Sequence, residues 1–217
     1  MISLEFIPKE QSDIAKLRQF WEENTFFSHI VLIDNKQISN FSSSFLIEHL
    51  SEFCDILLSV NLDSRNLVDI ERLSSKKISG IIFLRGSEAK FSEVLKIIKN
   101  TNLKRFYATN NVEKIKKYLD FGLDGVITQS FYSFSDFNNF SKNFKDVEKI
   151  IPSFLPFFSQ KTLIKWQGGY AKTLGIEIPL NYHIGQNKEI LTSLLESGNL
   201  HISMINTNFS NIKNLIS

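Results

Sequence analysis

Short apolar runs alternate with longer amphipathic stretches along the whole chain. The apolar runs have strand length and are rich in β-branched residues: Ile2–Ile7, Ile30–Asp34, Ile56–Asn61, Gly80–Arg85, Arg105–Ala108, Gly125–Thr128, Lys149–Pro152 and His201–Ile205. Between them, apolar residues recur at helical spacing. Ile14, Leu17, Phe20 and Trp21 share one face, as do Leu67, Ile70 and Leu73. Phe91, Val94, Leu95 and Ile98 repeat the pattern, followed by Val112, Ile115 and Leu119, then Phe137, Phe140 and Phe144, then Ile190, Leu194 and Leu195. The Phe134, Phe137, Phe140, Phe144 spacing reads as a helix packed on a sheet.

Punctuation agrees with these boundaries. Asn110 followed by Glu113 has the spacing of a capping box, and Gly122, Gly175 and Gly198 fall where a left-handed helix end favours glycine. Gly168-Gly169 interrupts a helical stretch and reads as a kink. Strands alternating with helices specify an α/β fold, and eight units in 217 residues fit a compact (β/α)8 (TIM) barrel forming a single domain over residues 1–217. A doubly wound sheet would want a glycine-rich first turn, whereas Pro8-Lys9-Glu10-Gln11 follows the first strand.

Composition narrows the partners. The net charge of +2, from 25 basic and 23 acidic residues, gives no basis for a nucleic-acid or membrane partner. Lys114, Lys116 and Lys117 read as a solvated helix face. No apolar run reaches transmembrane length and the start lacks the features of a signal peptide, so the expected location is cytoplasmic. Cys54 is the single cysteine, which excludes an intrachain disulfide and a cysteine metal cluster. His29, His49, His183 and His201 show no metal-ligand or triad spacing.

Alternation along the first strand supplies the leading chemical candidate. Ile2, Leu4 and Phe6 form one face, so Glu5 points into the barrel near its C-terminal mouth, where ligands bind in this fold. A carboxylate there is costly unless paired or used, and such surroundings would raise its pKa toward general-acid work. Gln129, ending the sixth strand, offers a donor and an acceptor to a heterocycle. Arg85-Gly86, ending the fourth, offers a cation beside a close-approaching backbone.

Taken in order, the strand ends resemble the methylenetetrahydrofolate reductase family. Ser3-Leu4-Glu5-Phe6-Ile7-Pro8 is similar to its opening S-F-E-F-F-P, and Ile81 to Gly86 to its L-R-G-D segment. Leu119 to Gly122 with Ile127-Thr128-Gln129-Ser130-Phe131 resembles V-D-A-G…I-T-Q-F-F, and Ile151 to Pro156 resembles I-P-G-I-L-P. Leu200-His201-Ile202 to Asn206 is similar to the closing H-F-Y-T-L-N. The resemblance implies a flavin-dependent (β/α)8 oxidoreductase that passes a hydride from NAD(P)H through FAD to methylenetetrahydrofolate.

Under that resemblance Glu5 is the general acid that opens the folate's methylene bridge. Gln129, Trp166 and Asn206 bind the substrate, while Leu84, Arg85, Gly86, Ser87 and Tyr107 line the FAD site. The implied partners are a folate and, as a homo-oligomer, further copies of the chain. Departures gather on the flavin side. Ser87 replaces the family's Asp, Leu32-Ile33-Asp34 replaces Thr-Tyr-Gly, and Tyr107 to Asn111 replaces Y-P-E-x-H. Tyr118 replaces a Lys, Thr207 replaces an Arg, and the His at the start of the third strand is missing. Losing cations there weakens the grip on phosphates. Two alternatives therefore stand beside the reductase: a flavin-poor relative acting in methyl transfer or demethylation, and a non-catalytic folate- or partner-binding barrel.

Overall fold

Eight parallel strands close into a barrel in sequence order, each hydrogen-bonded to the next and the last to the first. The structure is a computed structural model that describes residues 1–33, 40–74, 76–171, 177–203 and 209–217. The strands are β1 (Ile2–Phe6), β2 (His29–Ile33), β3 (Ile56–Asn61), β4 (Gly80–Leu84), β5 (Lys104–Ala108), β6 (Gly125–Ser130), β7 (Ile150–Phe154) and β8 (Leu200–Ile202). The helices between and after them are α1 (Gln11–Glu23), α2 (Ser43–Leu50), α3 (Leu67–Ser74), α4 (Glu88–Ile98), α5 (Val112–Asp120), α6 (Phe134–Ser141), α7 (Gln160–Lys165), α8 (Asn187–Leu194) and α9 (Phe209–Ile216). The compact (β/α)8 barrel expected from the alternating pattern is the observed fold.

Closure divides the core in two. Alternate strand residues face the helices and build an outer core that includes Leu4, Ile30, Leu58, Phe83, Val126 and Ile202. The residues between them face inward, where Val31, Leu57, Ile82, Phe106, Ile127 and Ile151 form a separate apolar cluster, one side chain from each of β2 to β7. The aromatic spacing of α6 serves the outer core. Phe137 and Phe144 are buried, and Phe137 meets Phe131 edge to face.

Helix starts follow ordinary capping chemistry, with Ser42, Ser87, Asn111 and Ser133 each accepting a first-turn backbone N–H. The cap of α5 is thus Asn111, one position beyond the expected Asn110, whose side chain is engaged elsewhere. Gly122 and Gly198 take the left-handed conformation anticipated for them, while Gly175 lies outside the described residues. The kink expected at Gly168-Gly169 is present as a π-helical turn, Trp166–Tyr170, with Gly169 at φ 133°.

Two local features shape the barrel mouth. The β6–β7 register slips between Ile127 and Ser130, and Pro152 lies in the matching stretch of β7. Proline has no N–H to give a ladder, so a bulge is where a central strand tolerates it. The Thr128 hydroxyl donates to the Ile151 carbonyl at 3.2 Å and ties the irregular segment together. On the opposite rim, Arg85 and Gly86 turn the chain out of β4 with φ values of 55° and 100°.

A Cβ added at Gly86 would sit 2.7 Å from Leu62 Cβ on a backbone that L-residues rarely adopt. Gly86→Ala is expected to destabilise the fold by about 2–4 kcal/mol, strain and overlap adding. Urea unfolding monitored by circular dichroism measures it. A loss under about 0.5 kcal/mol, the range of ordinary surface changes, would show that the turn has no need of glycine.

Candidate functional site

The inner apolar cluster leaves one flank of the barrel without a greasy lining. On β7, β8 and β1 the inward positions are Ser153, His201, Ser3 and Glu5. The closing ladder sets His201 opposite both Ser3 and Ser153, because parallel strands align residues of the same face. Ser3 is fully buried, and its hydroxyl lies 3.0 Å from His201 Nδ1. The other ring nitrogen, Nε2, faces the Glu5 carboxylate at 4.0 Å. Glu5 therefore sits where strand alternation put it, inside the barrel, with its side chain 16% exposed against 7% for His201. Beside this line, the hydroxyls of Ser153 and Ser203 meet at 3.2 Å.

Electrostatics fix the charge state of the imidazole. Burial pushes the His201 pKa down to about 4. At neutral pH the ring is uncharged, so it accepts on one nitrogen and donates on the other. Ser3–His201–Glu5 is thus a polar chain running from the sealed interior toward the mouth. At 4.0 Å the last step is longer than a hydrogen bond.

Sequence reasoning passed over both His201 and Ser3. The signal was the alternation of β8, where a histidine stands between the outward-facing Leu200 and Ile202.

Gln129 lies across the mouth, half-buried, on the bulged end of β6. The Asn110 side chain holds it from two sides. Its Nδ2 donates to Gln129 Oε1 at 2.7 Å, and its Oδ1 accepts the Gln129 backbone N–H at 2.5 Å. Trp166 ends α7 and packs edge to face on Phe157 at 5.5 Å. Asn206 lies outside the described residues, as do Asp34 and Thr207.

The residues expected around a flavin have other partners. Leu84 packs against the inner cluster, and Arg85 is exposed at the rim. Gly86 is required by the contact with Leu62, and Ser87 accepts the Lys90 N–H as the cap of α4. Tyr107 faces the helices and not the barrel interior. It belongs to the outer core, with Phe91 at 5.3 Å and Tyr118 at 4.4 Å, and its hydroxyl donates to the Arg85 carbonyl. Burial pushes that phenol's pKa up. Cys54 is likewise packed, its thiol pushed up to about 12 by burial and bonded to the Leu50 carbonyl. Among the described residues no cluster of His, Cys, Asp and Glu is arranged to hold a metal, and no helix is long and apolar enough to cross a membrane.

The sequence matches no protein-family model and no curated protein. Solved structures do match. A mutant tryptophan synthase α-subunit from Pyrococcus furiosus superposes with TM-score 0.59 at 10% identity, over 94% of this chain and 85% of that one. An HpcH/HpaI aldolase from Desulfitobacterium hafniense DCB-2 gives 0.54 at 10% identity, over 100% and 89%. Oxaloacetate acetylhydrolase gives 0.55 at 7% identity, over 99% and 78%. The fold is a TIM barrel. At such identities the likeness carries the architecture alone, and chemistry has to be read from the site.

The neutral His201 makes stability depend on acid. Between its ordinary pKa of 6.5 and about 4, the unfolded chain binds a proton that the native ring refuses. Stability is therefore flat above that window and falls as pH drops through it. The loss from this residue is about 2 kcal/mol between about pH 7.5 and about pH 5. His29, whose pKa burial also lowers, adds in the same direction. In His201→Gln the acid slope of the urea midpoint should shrink by that amount, and an unchanged slope would show that the folded ring titrates as it does in the unfolded chain.

Proposed function

We propose that the barrel mouth binds a folate and that Glu5 is its proton donor, in a one-carbon site of the methylenetetrahydrofolate reductase kind. The observation that carries this reading is the Glu5 carboxyl inside the barrel, faced by a neutral His201 that Ser3 anchors. Support also comes from the sequence resemblance, whose folate-side residues Glu5 and Gln129 stand on the two rims of one opening.

The chemistry follows from the positions. A methylene bridge between two folate nitrogens opens when one nitrogen takes a proton. The proton leaves Glu5, the C–N bond breaks toward the protonated nitrogen, and the remaining nitrogen forms an iminium with the one-carbon unit. Glu5 regains its proton from solvent at the mouth, being the more exposed member of the pair, while the neutral His201 ring stays beside it. The low-polarity wall of Leu57, Ile82, Phe106 and Ile127 keeps water from attacking the iminium. Reduction to the methyl state then takes a hydride that originates from NAD(P)H.

FAD is the carrier that the resemblance implies. Of the five residues expected to hold it, Gly86, Ser87 and Tyr107 are committed to packing and capping, and only Leu84 and Arg85 are offered to the rim. The described residues therefore do not assemble an FAD cradle. This favours, as the second reading, a flavin-poor folate protein of the methyl-transfer or demethylating type.

Calorimetric titration with 5-methyltetrahydrofolate tests the shared part of both readings, and binding in the micromolar range is expected. Glu5→Gln should keep that binding within about threefold, while methylenetetrahydrofolate turnover falls by at least about 100-fold. Absence of folate binding would reject the proposal. Loading with FAD separates the readings: a yellow protein bleached by NAD(P)H supports the reductase, and a protein that binds folate but takes up no FAD supports the second.

A further inference from the structure

We infer that Ser3 is a positioning residue that fixes His201 as the Nε2–H tautomer, so that the ring turns a proton, and not a lone pair, toward Glu5. The consequence for Glu5 deepens the folate reading and rests on it, whereas the tautomer stands without it.

The argument starts from the one hydrogen of the Ser3 hydroxyl. That hydroxyl is fully buried, and among the described residues the hydrogen-bond neighbour of its oxygen is His201 Nδ1, at 3.0 Å. A serine has a single O–H to give, and a neutral imidazole has one donor and one acceptor. With the ring proton on Nδ1, that nitrogen would donate to Ser3 Oγ, and the Ser3 hydrogen would be sealed from water with nothing to meet. With Nδ1 bare, Ser3 donates to it and no hydrogen is stranded. A stranded buried donor is costly, so the second arrangement is favoured by at least about tenfold. The ring proton then sits on Nε2, the nitrogen that faces the Glu5 carboxylate at 4.0 Å.

The surroundings keep the ring in this setting. The β1–β8 ladder puts Ser3 and His201 at the same level, and Ser153 stands opposite His201 on the β7 side. Leu200 and Ile202, on either side of His201, are buried in the outer core and hold that stretch of β8 in place. Burial keeps the ring neutral, so one of its nitrogens is bare, and the ionisable group that faces it is Glu5.

A general acid works when its proton goes to the substrate. A lone pair on Nε2 would compete for the Glu5 proton from inside the barrel. An N–H there removes the competitor and sets the positive end of a dipole toward the carboxylate that forms once the proton has left. Ser3, sealed from any ligand, acts only through the ring.

Histidine-selective nitrogen-15 NMR of the ligand-free protein near neutral pH separates protonated from bare ring nitrogens, and His201→Gln identifies the His201 signals among the four histidines. A bare Nδ1 with a protonated Nε2 supports the inference, and a protonated Nδ1 overturns it. Glu5→Gln should leave the pattern unchanged; a proton moved to Nδ1 in that variant would put the choice with Glu5 and overturn the role of Ser3. Ser3→Ala should raise the proton affinity of His201 by about tenfold, because the lost O–H bond favoured the neutral ring. A fall would show that Nδ1–H had been donating to the hydroxyl, and overturns the inference. In the same variant methylenetetrahydrofolate turnover should drop by about tenfold with KM within about threefold, and unchanged turnover would sever the tautomer from the acid. If no folate binds the wild type, the folate reading fails while the ring nitrogens still decide the tautomer. If Ser3→Ala does not fold, the wild-type and Glu5→Gln spectra decide it.

Discussion

Closing eight parallel strands into a ring forces every second side chain into a narrow interior, and the chain fills that interior unevenly. β2 to β7 each send in one apolar side chain, and these six make contact with one another. β8 and β1 send in His201, Ser3 and Glu5. Burial of the first set supplies cohesion that the polar set does not, at about 25 cal/mol for each square ångström taken from water. The polar set must satisfy itself, because an unpaired polar group in such a place costs more than its hydrogen bond returns. Ser3 against His201 meets that requirement in the sealed part of the barrel, and Glu5 faces the other side of the ring at 4.0 Å nearer the mouth.

The imidazole is the pivot of this arrangement. Had His201 been exposed, it would titrate near neutrality, and its charge would hold Glu5 as a salt bridge. Burial instead keeps it neutral down to about pH 4, so it carries a proton on one nitrogen and a lone pair on the other. A neutral ring anchored on one side by a sealed hydroxyl is poorly suited to neutralising a fixed charge. Glu5, more open than His201, is the member of the line that a ligand in the mouth can reach.

Much of this was legible in the alternation of single strands. Leu4 and Phe6 on one face of β1 forced Glu5 to the other, and Phe106 facing inward forces Tyr107 outward into the aromatic packing around Phe91 and Tyr118. Reading Tyr107 by resemblance rather than by alternation is what set it beside a flavin. His201 showed no telling spacing in the sequence for a different reason. Spacing rules look for ligands a few residues apart, whereas Ser3 and His201 are separated by 198 positions and become neighbours only when the barrel closes. The cap of α5 slipped by one residue because Asn110 is recruited by Gln129, a contact between two strand ends that no local pattern records.

The two rims of the mouth follow different rules. Along β4 and β5 the chain is held by packing: Gly86 lies against Leu62, the Tyr107 hydroxyl ties down the Arg85 carbonyl, and Ser87 closes the end of α4. Changing any of these residues disturbs the fold before it disturbs a ligand. From β6 round to β1 the rim is held by polar contacts instead: Asn110 with Gln129, Ser153 with Ser203, Ser3 with His201 and Glu5. Such groups exchange one hydrogen-bond partner for another at little net cost, so a ligand can replace a contact without dismantling the wall. The interior therefore sets the polar line of Ser3, His201 and Glu5 beside the apolar cluster of Val31, Leu57, Ile82, Phe106, Ile127 and Ile151.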